Sequence, residues 1–194
     1  MNRPRRLVAF VLLSTAMAAC GGGVVAGSPR QPACGNDWDS LPVMHLVSTY
    51  TTATVEDLRA AGHDCFDRLI VELGPSQPGL PGPQGNGYQV RYVAEVHRGE
   101  SGDRLPMNGG AALAVVVNAA AHDADYQPTY DPRDAIHAVD VTGFRTFRQV
   151  AFLGTFESQT EVVVGVRARL PFRTFVISGP GAGSTLVIDV AHGE

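Results

Sequence analysis

Apolar residues, with Thr160 the exception, occupy every second position in three stretches of the chain, and the positions between them are mostly polar. These stretches are 69–73, 88–96 and 160–168. Because successive side chains of a β-strand point to opposite faces, this alternation is typical of half-buried strands. Apolar-rich stretches predict further strands at about 111–120, 146–154, 172–178 and 184–191. Short strands separated by Gly- and Pro-rich turns predict an all-β domain, either a sandwich or a barrel.

The segment TVEDLRAAG at 54–62 is ambiguous. It fits a short helix with Thr54 as the N-cap and Gly62 as the stop. It also fits the first strand of a hairpin whose turn is AGHDCF, at 61–66. Local propensity favours the helix slightly, whereas the all-β surroundings favour the strand. We predict the strand.

Residues 1–19 have the layout of a bacterial export signal, with a basic start, an apolar run at 7–13 and small residues before a cleavage site. The apolar run is too short to span a bilayer, which needs roughly 20 residues. The sequence MAAC at 17–20 resembles the bacterial lipobox, although Met17 stands where leucine is usual. That resemblance implies a diacylglycerol on Cys20, which would anchor the protein at the extracytoplasmic face of the cell membrane. An ordinary secretion signal with a chance cysteine is the alternative.

Residues 20–44 are rich in Gly, Pro, Ser and Ala, and we predict a flexible tether that begins at the lipidated Cys20. One domain is expected after it, at 45–194, because a chain of this length buries one sizeable core. Without residues 1–19, the chain has 12 arginines, no lysine and 19 acidic residues, a net charge of −7. Such an acidic chain argues against nucleic acid as a partner.

The cysteines predict one disulfide. If Cys20 carries the lipid, Cys34 and Cys65 remain as an even pair in an oxidising compartment, where disulfides persist. A bond between them closes a loop of about 31 residues and, on the entropy model, constrains the unfolded chain by roughly 3–4 kcal/mol. Two free thiols or a metal site are the alternatives, and the absence of a CxxC spacing disfavours the metal.

Several segments together resemble one protein family. They are HDCFDRLIVEL at 63–73, GYQVRYVAEV at 87–96, PTYDP at 128–132 and the block from FRTFRQV to DVAH at 144–192. They resemble the AMIN-like domain of actinobacterial secreted proteins and lipoproteins, over roughly residues 45–192. The family is similar to the AMIN domain of periplasmic amidases and secretins. The resemblance implies a non-catalytic β-sandwich that binds peptidoglycan or a wall-associated protein.

Five arginines make a candidate ligand-binding set: Arg145, Arg148, Arg167, Arg169 and Arg173. Guanidinium forks suit the carboxylates of peptide stems and sugar acids. Arg167 and Arg169 share a face if their strand is regular. Arg145 and Arg148 do not share one by parity, although a turn would bring them together.

The same residues also have a purely structural interpretation. Three phenylalanines either add a stacking surface for sugars or belong to the core: Phe144, Phe147 and Phe172. The arginines then point outward and pair with nearby acids, namely Glu157, Glu161 and Asp189.

Catalysis is the alternative from another class. His63 and Asp64 beside Cys65 fit a reactive thiol only if Cys65 has no disulfide partner. An extracytoplasmic hydrolase or metal-dependent enzyme would use the loops at 98–110 and 122–134, where HDADYQPTYD offers oxygen ligands for Ca²⁺. That loop lacks the glycine and the terminal glutamate of an EF-hand. We therefore predict no catalytic residue, no metal and no cofactor, with a purely structural envelope subunit as a further alternative.

Overall fold

Antiparallel β-strands make up most of the structure, a computed structural model that describes residues 38–46, 51–76, 87–99, 101–178 and 183–193. The strands in those ranges are β1 (Val43–His45), β2 (Val55–Gly62), β3 (Phe66–Leu73), β4 (Tyr88–Val93), β5 (Ala111–Val117), β6 (Phe147–Phe156), β7 (Gln159–Val166), β8 (Phe172–Ser178) and β9 (Ser184–Ala191). A short 3-10 turn, Ala135–His137, precedes β6. Within the same ranges, no helix is long and apolar enough to cross a membrane. Cys20 and Cys34 lie outside the described residues.

The strands form two sheets that pack face to face. One sheet has the order β1-β4-β5-β7-β6 and the other the order β2-β3-β9-β8. Residues from both sheets share one buried apolar cluster, to which β3 contributes Leu69 and Val71 and β7 contributes Val162 and Val164. Fully burying such a side chain stabilises the fold by about 1.5–3 kcal/mol. The predicted all-β sandwich is confirmed.

The prediction of a strand at the ambiguous segment is also confirmed, since β2 pairs with β3 from Val55 to Gly62. A bulge between Val55 and Asp57 shifts the register, so that Val55 and Leu58 are both buried. Their spacing of three therefore imitated a helical period. The turn to β3 is closed by the His63 N–H, which donates to the Phe66 carbonyl at 2.9 Å.

One predicted face is wrong in part. The alternation at 88–96 predicts Val96 on the same side as Val90, but β4 ends at Val93. Val96 packs instead in a second cluster with Leu105 and Ala114. Ala114 alternates with the core residues of β5, so this cluster covers the outer face of the five-stranded sheet. The loop at 98–110 supplies Leu105 to this cluster. Val96 is therefore apolar because it packs in this cluster, although the strand has already ended.

That loop crosses β7 at backbone contact. The Gly110 N–H donates to the Val166 carbonyl at 2.8 Å. A Cβ atom on Gly165 would overlap the carbonyl oxygen of Asn108, and one on Gly110 would lie 2.5 Å from the carbonyl oxygen of Arg167. Glycine on both segments is what permits the close approach.

Candidate functional site

Residues 38–46, here called the strap, connect the edges of the two sheets. The Phe172 N–H at the start of β8 donates to the Asp39 carbonyl at 2.7 Å. A few residues later, β1 pairs with β4, with Val43 opposite Val90. Part of the segment expected as tether therefore contacts both sheets of the sandwich.

The outer face of the four-stranded sheet holds a buried carboxylate between two arginines. Asp189 on β9 lies opposite Arg68 on β3 and Arg173 on β8, so the sheet register brings the three together. Arg68 Nε and Nη2 contact the two Asp189 oxygens at 2.6 and 2.9 Å. Arg173 Nε and Nη2 are both 2.9 Å from Oδ2. The Asp189 side chain is 0% exposed, against 22% for Arg68 and 44% for Arg173.

Aromatic rings surround both guanidinium groups. The Arg173 Cζ lies 4.5 Å from the centroid of the Trp38 ring, 5.3 Å from Phe175 and 5.6 Å from Phe66. The Arg68 Cζ lies 5.2 Å from Phe66 and 5.5 Å from Phe175. Such cation–π contacts contribute about 0.5–1 kcal/mol each when exposed and more when desolvated. Trp38 belongs to the strap, so the strap completes this site.

We call the whole set the arginine–aromatic surface: Trp38, Phe66, Arg68, Arg173, Phe175 and Asp189. Two guanidinium groups face one carboxylate, which leaves an excess of one positive charge on the surface. The hydrogen bonds that Arg68 donates to Asp189 raise the pKa of Arg68 above its usual value, against the opposing effect of burial. The contacts to Asp189 use Nε and Nη2 of each arginine. The surface can therefore bind an anionic group beside an apolar ring.

Of the five predicted arginines, Arg173 lies in this surface, and Arg145 and Arg148 contact backbone elsewhere. Arg148 donates to the carbonyls of Phe144, Phe147 and Arg145 at 2.9–3.1 Å. Arg145 Nη1 lies 3.4 Å from the Asp64 carbonyl oxygen. The turn before β6 thus brings Arg145 and Arg148 together, because the Arg148 side chain donates to the Arg145 carbonyl.

Arg167 and Arg169 follow the end of β7 at Val166, so strand parity does not govern their side chains. Arg167 Nη2 donates to the His192 carbonyl. Arg169 Nη2 donates to the carbonyl of Ser40 in the strap at 2.9 Å, and its Cζ lies 5.0 Å from the Tyr92 ring centroid. The two guanidinium groups bind different segments.

The alternative in which the phenylalanines are core residues and the arginines pair with acids holds in part. Phe147 and Phe172 are core residues, 1% and 3% exposed. Asp189 pairs with Arg173, as that interpretation expected. Arg68 was missed, although alternation in FDRLIVEL puts it on the face opposite Leu69. Its partner lies 121 residues later, and only the β3–β9 register brings them into contact.

A second polar cluster lies where β3 meets the start of β6. Asp67 is 1% exposed, and its Oδ2 accepts the N–H groups of Thr146 at 2.5 Å and Phe147 at 3.0 Å. Its Oδ1 is 2.8 Å from His192 Nε2, and His192 Nδ1 is 3.2 Å from the Asp64 carbonyl oxygen. Both ring nitrogens thus face oxygens of residues 64–67. The imidazole therefore holds the end of the fold against the start of β3, which is a structural role.

The loop at 122–134, which the catalytic hypothesis would use, is held by contacts within the loop itself. Asp123 Oδ1 accepts the N–H groups of Asp125 and Gln127 at 2.9 Å each, and His122 stacks on Tyr126 at 5.0 Å. Across the described ranges, His, Cys, Asp and Glu side chains nowhere gather in threes that could hold a metal ion. An open groove of ≈ 630 Å³ lies along residues 137–149. His122 and Asp123 do not line it.

The comparisons with known proteins gave one match. The family model for the AMIN-like domain matches residues 53–192. Searches of the curated proteins and of the solved structures found no match. AMIN-like domains are non-catalytic binding domains, associated in related proteins with peptidoglycan binding.

Proposed function

Because the chain belongs to the AMIN-like domain family, we propose that it is a non-catalytic cell-envelope lipoprotein that binds peptidoglycan or a wall-associated protein. The lipid on Cys20 anchors it at the extracytoplasmic face of the cell membrane. The tether then keeps the domain near the wall, which raises the effective concentration of the two partners.

The arginine–aromatic surface is the observation that supports wall binding best. Peptidoglycan presents carboxylates next to sugar rings and peptide backbone. Guanidinium groups bind carboxylates through charge-assisted hydrogen bonds, and aromatic rings stack on the apolar faces of sugars. Arg68 and Arg173 are held in place by Asp189, so little side-chain entropy is lost when a ligand binds.

Retention on purified sacculi tests the proposal. The protein is the chain from residue 20 onward with Cys20→Ser, which prevents lipidation. We expect it to sediment with sacculi at low salt, and we expect Arg68→Gln/Arg173→Gln to remain largely in the supernatant. Arg59→Gln/Arg104→Gln is the matched control, because it removes two exposed arginines that lie outside the surface.

The same assay separates the two partner classes. Retention on sacculi stripped of protein supports peptidoglycan, whereas retention only on unstripped wall supports a wall-associated protein. Wild-type protein that stays in the supernatant with both materials across a range of salt contradicts wall binding. A double variant Arg167→Ala/Arg169→Ala tests the other predicted arginines in parallel.

The anchor has its own test. In cells, we expect the full chain in the membrane fraction with an incorporated fatty acid label, and Cys20→Ser without the label. A membrane-bound, unlabelled wild-type protein would contradict lipidation at Cys20.

A further inference from the structure

We infer that the arginine–aromatic surface is a binding site for one free carboxylate next to a ring, and that the strap supplies one wall of this site through Trp38. This inference rests on the proposed function and specifies its ligand chemistry. The site combines residues from the matched domain with a residue that precedes it.

The charge balance identifies the ligand as an anion. Asp189 is fully buried, and Arg68 alone already gives it a bidentate partner. Arg173 adds a second positive charge that Asp189 does not need for neutralisation. Arg173 is also the more exposed of the two arginines, at 44% of its side chain. An incoming carboxylate balances that extra charge.

The guanidinium geometry favours a small, planar anion. Asp189 contacts the Nε/Nη2 edge of both arginines, so a second acceptor would approach the edge formed by Nη1 and Nη2. A carboxylate matches a guanidinium group in planarity and in the spacing of its oxygens. A single excess charge favours one such group over a polyanion.

The rings determine what accompanies the carboxylate. Trp38 lies over the Arg173 guanidinium at 4.5 Å and tilts 55° to the Phe66 ring at 5.6 Å. Trp38 is half-buried and therefore presents part of its ring to a ligand. A sugar ring or a small side chain next to the carboxylate can pack against that ring. Two wall components share this chemistry, the lactyl carboxylate of a muramic acid and the terminal carboxylate of a stem peptide.

Chemically modified sacculi test the ligand class. Amidation of the wall carboxyl groups neutralises both sources, and we expect it to reduce retention of the protein roughly 10-fold, the equivalent of one charge-assisted hydrogen bond. Removal of the stem peptides with an amidase frees the lactyl carboxylates. Increased retention afterwards identifies the sugar acid, and lost retention identifies the stem peptide. Undiminished retention on fully amidated sacculi would overturn the inference.

Two variants test the site. Arg173→Gln leaves the Arg68–Asp189 pair in place, and Trp38→Ala leaves both arginines in place. We expect each to weaken retention about 10-fold, with little change for Arg59→Gln, an exposed arginine on β2 of the same sheet. A thermal melt of each variant checks that it is folded.

Failure of the proposed function and failure of the proposed site give different results. Wild-type protein that does not bind any sacculi contradicts the proposed function itself. Wild-type binding that Arg173→Gln and Trp38→Ala leave unchanged contradicts only this site. Weakening by Arg173→Gln without weakening by Trp38→Ala removes the strap from the site.

Discussion

His192 Nε2 lies 2.8 Å from Oδ1 of Asp67, a residue 125 positions earlier in the chain. The contact joins the last described residues of the fold to β3. Asp67 also accepts two backbone N–H groups at the start of β6, so one carboxylate connects three segments. Asp67 is only 1% exposed, so the fold should be sensitive to substitution at this position.

Asp67→Ala is expected to lower the free energy of unfolding by about 3–5 kcal/mol, because it leaves buried donors without an acceptor. Urea unfolding measures the loss. Asp67→Asn retains one acceptor oxygen and should cost less. His137→Ala is the control, since its contact with Asp134 is exposed and should contribute little to stability. Equal losses for Asp67→Ala and His137→Ala would contradict the structural role.

The strap should contribute to stability, although it precedes the matched domain. A chain that begins at residue 38 keeps the Asp39 and Ser40 contacts and β1, and one that begins at residue 51 loses them. We expect the shorter chain to be less stable by roughly 2 kcal/mol or more, at about 1 kcal/mol for each lost hydrogen bond. Both chains lack Cys34, so a disulfide does not enter the comparison. Equal urea midpoints would show that the strap is dispensable.

Glu161 on β7 gives the fold a pH dependence. Burial raises its pKa, and the nearby Arg91 lowers the pKa by less. The folded protein therefore holds this proton more tightly than the unfolded chain, and stability falls as the pH rises from about 4.5 through the raised pKa. Glu161→Gln removes the ionisation, so the variant should be more stable at pH 7, by up to about 0.5 kcal/mol.

Below about pH 3 the two proteins should unfold alike, because Glu161 is then protonated in both states. Unfolding midpoints at pH 3 and pH 7 measure the difference. Glu157→Gln, at an exposed turn, is the control. A Glu161→Gln variant that is less stable at pH 7 would contradict the sign.

Because the loop at 98–110 contacts the β7 backbone, one added methyl group at the contact should lower the stability of the fold. Gly165→Ala places its Cβ against the Asn108 carbonyl oxygen, and the segments must separate. We expect a loss of about 1–3 kcal/mol, typical of overpacking. Gly99→Ala, where a Cβ meets nothing within 4 Å, should be close to neutral in the same thermal melts.

The disulfide between Cys34 and Cys65 stays a prediction, because Cys34 lies outside the described residues. The chain from residue 20 with Cys20→Ser should show no titratable thiol after denaturation. Reduction should lower its stability by roughly 3–4 kcal/mol. Two thiols per chain without reductant would contradict the bond.

The sequence by itself determined the all-β class and the described strands except β1, which lies in the segment expected as tether. The family resemblance supplied the sandwich. Alternation at Leu69, Val71 and Leu73 is visible in one short segment, because the strand period of two is a local property. The predicted export signal and the lipobox-like sequence MAAC are likewise local patterns in the first 20 residues.

Tertiary structure alone decided which arginines lie together. Arg68, Arg173 and Asp189 lie on three strands, and strand register between distant segments leaves no trace in local periodicity. The opposite error arose at Arg167 and Arg169, whose spacing suggested one face although β7 had already ended at Val166. Strand ends and sheet register depend on contacts across the whole chain. For that physical reason, the sequence offered arginines as candidate carboxylate ligands, and the fold determined which of them meet.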